Sequence, residues 1–112
     1  MHGGVAQDIG QALGETLLFD PQGKLLTESF LDYKMSVASD FPPFRIMIIA
    51  VPTAINPLAA KGVGEAGTAA ILAATMNAFA DALASAGVHD FERPATSYRV
   101  WHALQSATQS MV

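Results

Sequence analysis

The stretch AGTAAILAATMNAFADALASA, from Ala66 to Ala86, is almost half alanine and carries its bulky apolar side chains at regular intervals. Alanine is the strongest helix former, and intervals of four, three and four place large residues on one narrow face of a helix. We therefore predict a long helix over residues 66–86. Gly87 follows directly and suits the left-handed position at which helices commonly end. The bulky stripe consists of Leu72, Met76, Phe79 and Leu83.

Upstream of this helix, the sequence predicts one glycine-rich helix and a small set of β-strands. Asp20-Pro-Gln-Gly23 is a turn signature, and residues 24–30 after it have the composition of a weak strand. Residues 44–51 are rich in β-branched and apolar side chains and form the strongest strand prediction. The first helix is predicted over about residues 4–18, from the helical spacing of Val5, Ile9, Ala12, Leu13 and Leu17.

Downstream of the alanine-rich helix, residues 88–91 predict a short strand, and Pro94-Ala-Thr-Ser97 opens a last helix with Val100 and Trp101. The predicted order is helix, two or three strands, helix, helix, which is an α+β fold class. A chain of 112 residues allows one domain, over 1–112, with a single small core.

Composition restricts the partners of the chain. Only 14% of the residues are charged and 51% are hydrophobic, so we expect part of the surface to meet another protein surface. A net charge of −4 without a basic run argues against nucleic acid. No cysteine is present for disulfides, thiolate zinc sites or iron–sulfur ligation. No signal peptide or membrane span is evident, so we expect a cytoplasmic protein.

A second group of glycines precedes the alanine-rich helix, in the segment Lys61-Gly62-Val63-Gly64-Glu65-Ala-Gly67. Glycines and free N–H groups at a helix start can approach an anionic ligand closely. From the residues alone, a structural helix start with Glu65 complementing the helix dipole is favoured, and we expect Glu65 to be buried. The glycines also fit G-x-G-x-x-G, but a dinucleotide site needs a strand directly before them, and here the strand ends near residue 51.

The N-terminal glycine-rich helix start contains Gln7, whose amide can donate and accept hydrogen bonds. A helix-surface glutamine is the favoured interpretation from physics alone. The three histidines, His2, His89 and His102, have no metal-ligand spacing, and no G-x-S-x-G element supports Ser-His-Asp catalysis.

Several blocks, taken in order, resemble one family. The chain is similar over nearly its whole length to the C-terminal part of the molybdopterin-binding large subunit of the xanthine dehydrogenase and aldehyde oxidase family, the molybdenum hydroxylases. The blocks are His2-Gly-Gly-Val-Ala-Gln7, Gly10-Gln-Ala-Leu13, Leu31-Asp-Tyr-Lys-Met35, Asp40-Phe-Pro42, Asn56-Pro-Leu58, Lys61-Gly-Val-Gly-Glu65 and Pro94-Ala-Thr-Ser-Tyr-Arg-Val-Trp101.

The resemblance implies roles for individual residues. Glu65 matches the family's active-site glutamate, which acts as general base on a metal-bound hydroxyl that attacks an aldehyde or an aromatic N-heterocycle, with hydride transfer to molybdenum's sulfido ligand. Gln7 matches a glutamine of the cofactor-binding region. Gly62, Val63 and Gly64 match backbone that passes close to the metal, and no residue of this chain is implied to ligate it.

The resemblance also implies cofactors and partners. The complete enzyme would carry molybdenum-molybdopterin, either the simple pterin or its cytosine dinucleotide form, with none bound by this chain alone. The implied partners are the remainder of the molybdopterin subunit and 2Fe-2S and FAD subunits or domains. Because that subunit is far longer, the chain is expected to be a fragment, or a stand-alone product that associates with other chains or with itself.

Two positions depart from the family pattern. Asp8 replaces a usual glycine after Gln7 and would disfavour a phosphate-rich cofactor if its side chain pointed inward, and Ser36 replaces a usual proline. With the short length and low charge, Asp8 motivates an alternative from another class, a non-catalytic interaction module that keeps the family fold.

Overall fold

The structure is a computed structural model that describes residues 1–109, which form three α-helices and two short 3₁₀ helices. Helix α1 spans His2–Leu13, α2 spans Ile71–Ala84 and α3 spans Ser97–Gln109. The 3₁₀ helices span Ala38–Asp40 and Gly64–Gly67. Helix α1 packs against both α2 and the Gly64–Gly67 helix.

Helix α1 begins at His2 and ends at Leu13, so the predicted range of 4–18 is wrong at both ends. The chain leaves the helix at Gly14, where φ is −149°. A Cβ at Gly14 would lie 3.1 Å from the Cγ of Lys34, whose side chain crosses the helix end. Glycine is a poor residue for helix interiors, and it ends the helix before Leu17 can join its apolar face.

The predicted strands are not formed within residues 1–109, apart from one isolated antiparallel bridge between Phe19 and Leu25. The turn before the first of them is confirmed. The carboxylate of Asp20 accepts hydrogen bonds of 2.9 and 2.8 Å from two backbone N–H groups of this turn, and Gly23 has a φ of +82°.

The α+β class with a small set of strands is therefore not confirmed, because the described residues are mostly helical. Residues 44–51 and 88–91 both lack assigned secondary structure. A strand needs a neighbour to receive its backbone hydrogen bonds. Neither segment finds that neighbour among residues 1–109.

The alanine-rich prediction is confirmed in its centre and wrong at its start. Residues Gly64–Gly67 form a separate 3₁₀ helix before α2 begins at Ile71. Beyond α2, Gly87 has a φ of +81° and donates to the carbonyl of Ala84 at 3.0 Å, while Val88 donates to Leu83 at 3.1 Å. These two bonds form the glycine-terminated motif expected from the sequence.

Helix α3 confirms the predicted last helix, beginning at Ser97 directly after the Pro94-Ala-Thr segment. That segment is joined to the first helix by a hydrogen bond of 2.6 Å from the N–H of Ala95 to the carbonyl of Ala12. The buried hydrophobic residues of the described chain are few, and none of them is aromatic. They are Ala12, Leu83, Val88 and Ala95.

The molecule exposes far more surface than a self-contained domain of its mass. Its accessible surface is 8655 Å², against about 5,900 Å² for a compact monomer of 11.7 kDa. Its radius of gyration is 18.4 Å, against about 13 Å for a compact domain of this length. Large apolar side chains account for part of this exposure, among them Leu31, which is 97% exposed, and Ile55, which is 93% exposed.

One stretch, Gly64–Ala84, has the length and hydropathy of a membrane-crossing helix, and 11% of it is buried. Helix α2 itself has 14 residues, which is about 21 Å at 1.5 Å per residue and less than the roughly 30 Å of a hydrocarbon core. A helix that packs inside a protein has the same composition. The expectation of no membrane span is therefore not confirmed by hydropathy and stays a prediction.

Candidate active site

The two glycine-rich segments singled out in the sequence meet in the structure. A Cβ placed on Gly4 of α1 would lie 3.3 Å from the carbonyl oxygen of Gly64. A Cβ placed on Gly67 would lie 2.7 Å from the carbonyl oxygen of Met1 and 3.1 Å from the backbone nitrogen of Val5. The first turn of α1 and the Gly64–Gly67 helix therefore touch backbone to backbone. A side chain at Gly67 would force the two elements apart, and one at Gly4 would be tightly packed.

Glu65 is on the exposed side of this contact. Its side chain is exposed and makes no hydrogen bond or ion pair within residues 1–109, so the expectation of burial is wrong. The flanking residues are small and the segment lies on the surface, which leaves nothing to cover the carboxylate. Its backbone is fixed, however, because the carbonyl of Glu65 accepts hydrogen bonds from the Thr68 hydroxyl at 2.8 Å and the Thr68 N–H at 3.0 Å.

The remaining predicted residues of this segment are also open to the outside. Nothing in the described chain lies within 4 Å of a Cβ built on Gly62 or on Gly64. Val63 is 48% exposed, and its carbonyl accepts a hydrogen bond of 3.2 Å from Ala66. The segment therefore presents bare backbone on one side and a free carboxylate beside it.

Gln7 lies on α1 and is exposed, and its side chain makes no hydrogen bond to other described residues. The two glycine-rich segments thus meet through Gly4 and not through the side chain of Gln7. Its amide is free to donate and accept.

Asp8 is buried, with 7% of its surface exposed. It shares one face of α1 with Gly4 and Ala12, which are four residues before and after it, and Gly4 contacts the Gly64–Gly67 helix. The side chain is thus turned into the molecule. With this orientation, we predicted from the sequence that the carboxylate of Asp8 would repel the phosphates of a cofactor, and this repulsion stays a prediction.

Asn56 organises the approach to the site, a role that sequence analysis missed. Its side-chain amide donates to the carbonyl of Ala60 at 2.8 Å, and its Oδ1 accepts from the N–H groups of Leu58 at 3.1 Å and Ala60 at 3.2 Å. Within this turn, Ala59 has a φ of +51°, which is uncommon for a residue other than glycine. The signal was present in the Asn-Pro pair, because asparagine side chains close such turns.

No group of three or more His, Cys, Asp or Glu side chains able to hold a metal ion occurs among residues 1–109. The histidines pack or lie on the surface instead: the ring of His2 lies 6.1 Å from that of Phe44, and His102 lies 6.2 Å from Tyr98. A metal ion at this site would thus have to be ligated by the organic part of its cofactor and by residues other than 1–109.

Comparison with known proteins shows similarity to molybdopterin-binding proteins. A family model for the molybdopterin cofactor-binding domain matches residues 1–42. Over 105 residues, the chain is 42% identical to the nicotine 6-hydroxylase large subunit of Paenarthrobacter nicotinovorans and 34% identical to the carbon monoxide dehydrogenase large chain of Hydrogenophaga pseudoflava. Each alignment covers 94% of this chain and 13% of the relative.

A solved structure leads to the same class. Quinoline 2-oxidoreductase from Pseudomonas putida 86 superposes with a TM-score of 0.83 and 35% identity, over 94% of this chain and 13% of that one. The chain belongs to the molybdenum hydroxylase family, and it corresponds to a segment of the large, molybdopterin-binding subunit. It spans about 13% of the length of the relatives it matches.

Proposed function

We propose that this chain forms one wall of the active site of a molybdenum-dependent hydroxylase or dehydrogenase, and that Glu65 is the general base of the reaction. The observation that carries the proposal is the free carboxylate of Glu65, held by a fixed backbone beside Gly62 and Gly64, where an added Cβ would have no neighbour within 4 Å in the described chain. Relatives named as a hydroxylase and a dehydrogenase support the reaction class.

The chain's own residues fit a bulky group that lies against backbone. Gly62 and Gly64 leave the space that side chains would fill, and the amide of Gln7 is exposed to make a polar contact. Two-electron oxidation of the substrate is the chemistry that a molybdenum-molybdopterin group supplies when it is bound. We assign contacts with that group to Gln7, Gly62, Val63 and Gly64.

Glu65 would take the proton from the water-derived hydroxyl that becomes the new oxygen of the product. Removing this proton as the C–O bond forms makes the oxygen a stronger nucleophile toward an electron-poor carbon. The substrate class is an aldehyde or an aromatic nitrogen heterocycle. The relatives named for nicotine and quinoline support the heterocycle.

The electrons removed from the substrate would leave through 2Fe-2S and FAD subunits or domains. Support comes from the names of the relatives, which are large subunits or large chains of assemblies, and the chain itself has no cysteine for a cluster. We also propose the cytosine dinucleotide form as one of two cofactor candidates, and a cytoplasmic location.

The test is Glu65→Gln in the assembled enzyme. This change keeps the size of the side chain and removes the base, so turnover is expected to fall by about 10²- to 10⁴-fold while molybdenum content stays the same. Glu28→Gln, at another exposed glutamate, is the matched control and should leave turnover unchanged. Full activity of the Glu65 variant would contradict the proposal. Loss of molybdenum together with activity would show instead that Glu65 holds the site together.

A further inference from the structure

The segment Phe44–Val51, which the sequence marks as the strongest strand, has no backbone partner in the structure. Residues 42–53 run without helix, turn or bend. None of the backbone N–H or carbonyl groups of residues 44–51 is hydrogen-bonded within the described chain. Both long edges of this segment are therefore free.

The side chains of this segment are apolar on both of its faces. On one face, Met47 is 82% exposed and Ile49 is 79% exposed; on the other, Ile48 is 69% exposed. Arg45 is the one charged residue between positions 44 and 51. A strand at a sheet surface alternates apolar and polar residues, whereas a strand covered on both faces is a near-continuous apolar run.

We infer that Phe44–Val51 is an interior strand of a sheet whose other strands belong to the rest of the large subunit. Strands on both edges would receive its backbone hydrogen bonds, and apolar layers would cover both faces. Burying this segment without such partners would leave its polar backbone groups unsatisfied, which native structures avoid. The partner it fits is thus a pair of flanking strands.

The amount of exposed surface indicates that the partner covering this segment is the rest of the subunit and not a second copy of this chain. The accessible surface exceeds that of a compact monomer by about 2,800 Å². A standard interface covers about 800 Å² on each partner. The relatives are long enough to supply the cover, since this chain matches only 13% of their length.

This docking would also fix the site. The segment leads through the turn organised by Asn56 into Lys61 and Glu65, so anchoring residues 44–51 in a sheet sets one end of the loop that bears the base. The inference rests on the family assignment and on the proposed association with the rest of the subunit, and it does not depend on Glu65 as the base.

The experiment is hydrogen–deuterium exchange on the assembled enzyme without substitution. Amides of residues 44–51 are expected to exchange at least about 100-fold more slowly than an unstructured peptide, because interior strands open only rarely. Free exchange of these amides would overturn the inference. Protection that disappears on dilution of a single-chain oligomer would identify a second copy as the partner and would also overturn it.

A pair of variants tests whether both faces are covered. Ile48→Lys and Ile49→Lys point to opposite faces, and each is expected to speed exchange across residues 44–51 at least tenfold. Gln22→Lys, at an exposed polar residue of the turn that follows Asp20, is the matched control and should change nothing. Tolerance of either lysine would show that one face is open to solvent and would overturn the interior placement. Glu65→Gln should leave this exchange unchanged, so the two proposals fail separately.

Discussion

Gly67 is the residue at which the site is tied to the first helix. A methyl group there would lie 2.7 Å from the backbone oxygen of Met1, a distance that real Cβ atoms do not adopt, so one of the two elements would have to move. Gly64 belongs to the same 3₁₀ helix, and a Cβ built on it would have no neighbour within 4 Å among the described residues. The missing side chain of Gly67 therefore allows close packing against α1, whereas the missing side chain of Gly64 leaves space open outside the chain.

We expect Gly67→Ala to lower the free energy of unfolding of the assembled protein by about 1–3 kcal/mol, because overpacked sites cannot relax freely. Gly64→Ala should leave stability unchanged and lower molybdenum content, since its methyl group enters the space assigned to the cofactor. Thermal unfolding and metal analysis on both variants distinguish the two effects. Equal stability loss in both would contradict the separation.

Gln7 and Glu65 were selected by the order of the sequence blocks around them, and their roles stay predictions. The structure joins their two segments through Gly4 and Gly64. Burial could not be predicted, because it depends on neighbours distant in sequence. Glu65 is exposed where burial was expected, and Asp8 is buried.

The hydrogen bond between Tyr33 and Glu15 is another long-range feature with no sequence signal. The phenol donates to a carboxylate oxygen at 2.6 Å. This bond, with partial burial and the negative charge of Glu15, raises the pKa of Tyr33 above its usual value. The bond therefore supports the fold at neutral pH and is lost only at strongly alkaline pH.

At the scale of elements, helices were predicted well because their signals are local. The stripe through Leu72 and Leu83 and the cap at Gly87 are contained in one short stretch, and the structure confirms both. Strands were predicted poorly as formed elements, since pairing requires a second strand that residues 1–109 do not provide. The boundary of α1 failed for a local reason, the glycine at position 14.

The end of α2 gives a test at this scale. Gly87→Ala places a Cβ at a φ of +81°, which costs about 1–2 kcal/mol, although its nearest neighbour, the Cβ of Ala107, lies at an ordinary 3.9 Å. Urea unfolding should show this loss in stability. Gly3→Ala, in α1 with no neighbour within 4 Å, is the matched control and should be neutral or stabilising by up to about 1 kcal/mol. Equal effects would contradict the cap.

At the scale of the whole molecule, the exposed apolar surface identifies a part that needs a larger body. The composition alone predicted contacts with another protein surface, and the radius of gyration of 18.4 Å shows how far the chain departs from a compact domain. The four buried hydrophobic side chains of residues 1–109 cannot offset the entropy of ordering a chain of this length.

Purified alone, the chain is expected to self-associate into species of no defined size and to hold no stoichiometric molybdenum, because the bare glycine surface offers few contacts of its own. Sedimentation and metal analysis, with the assembled subunit as control, measure both properties. A monodisperse monomer that retains the metal would contradict this expectation. A stable metal-free homo-oligomer of defined size would favour the non-catalytic module.

The contact between Gly4 and Gly64 also sets an order of events in time. It joins residues far apart in sequence, and closing a loop of that length costs on the order of 4 kcal/mol in chain entropy. Helices such as α2 and α3 form from neighbouring residues within about a microsecond, long before distant segments meet. The surface that carries Glu65 is therefore completed late in folding, and binding of the proposed cofactor would follow the closure of that loop.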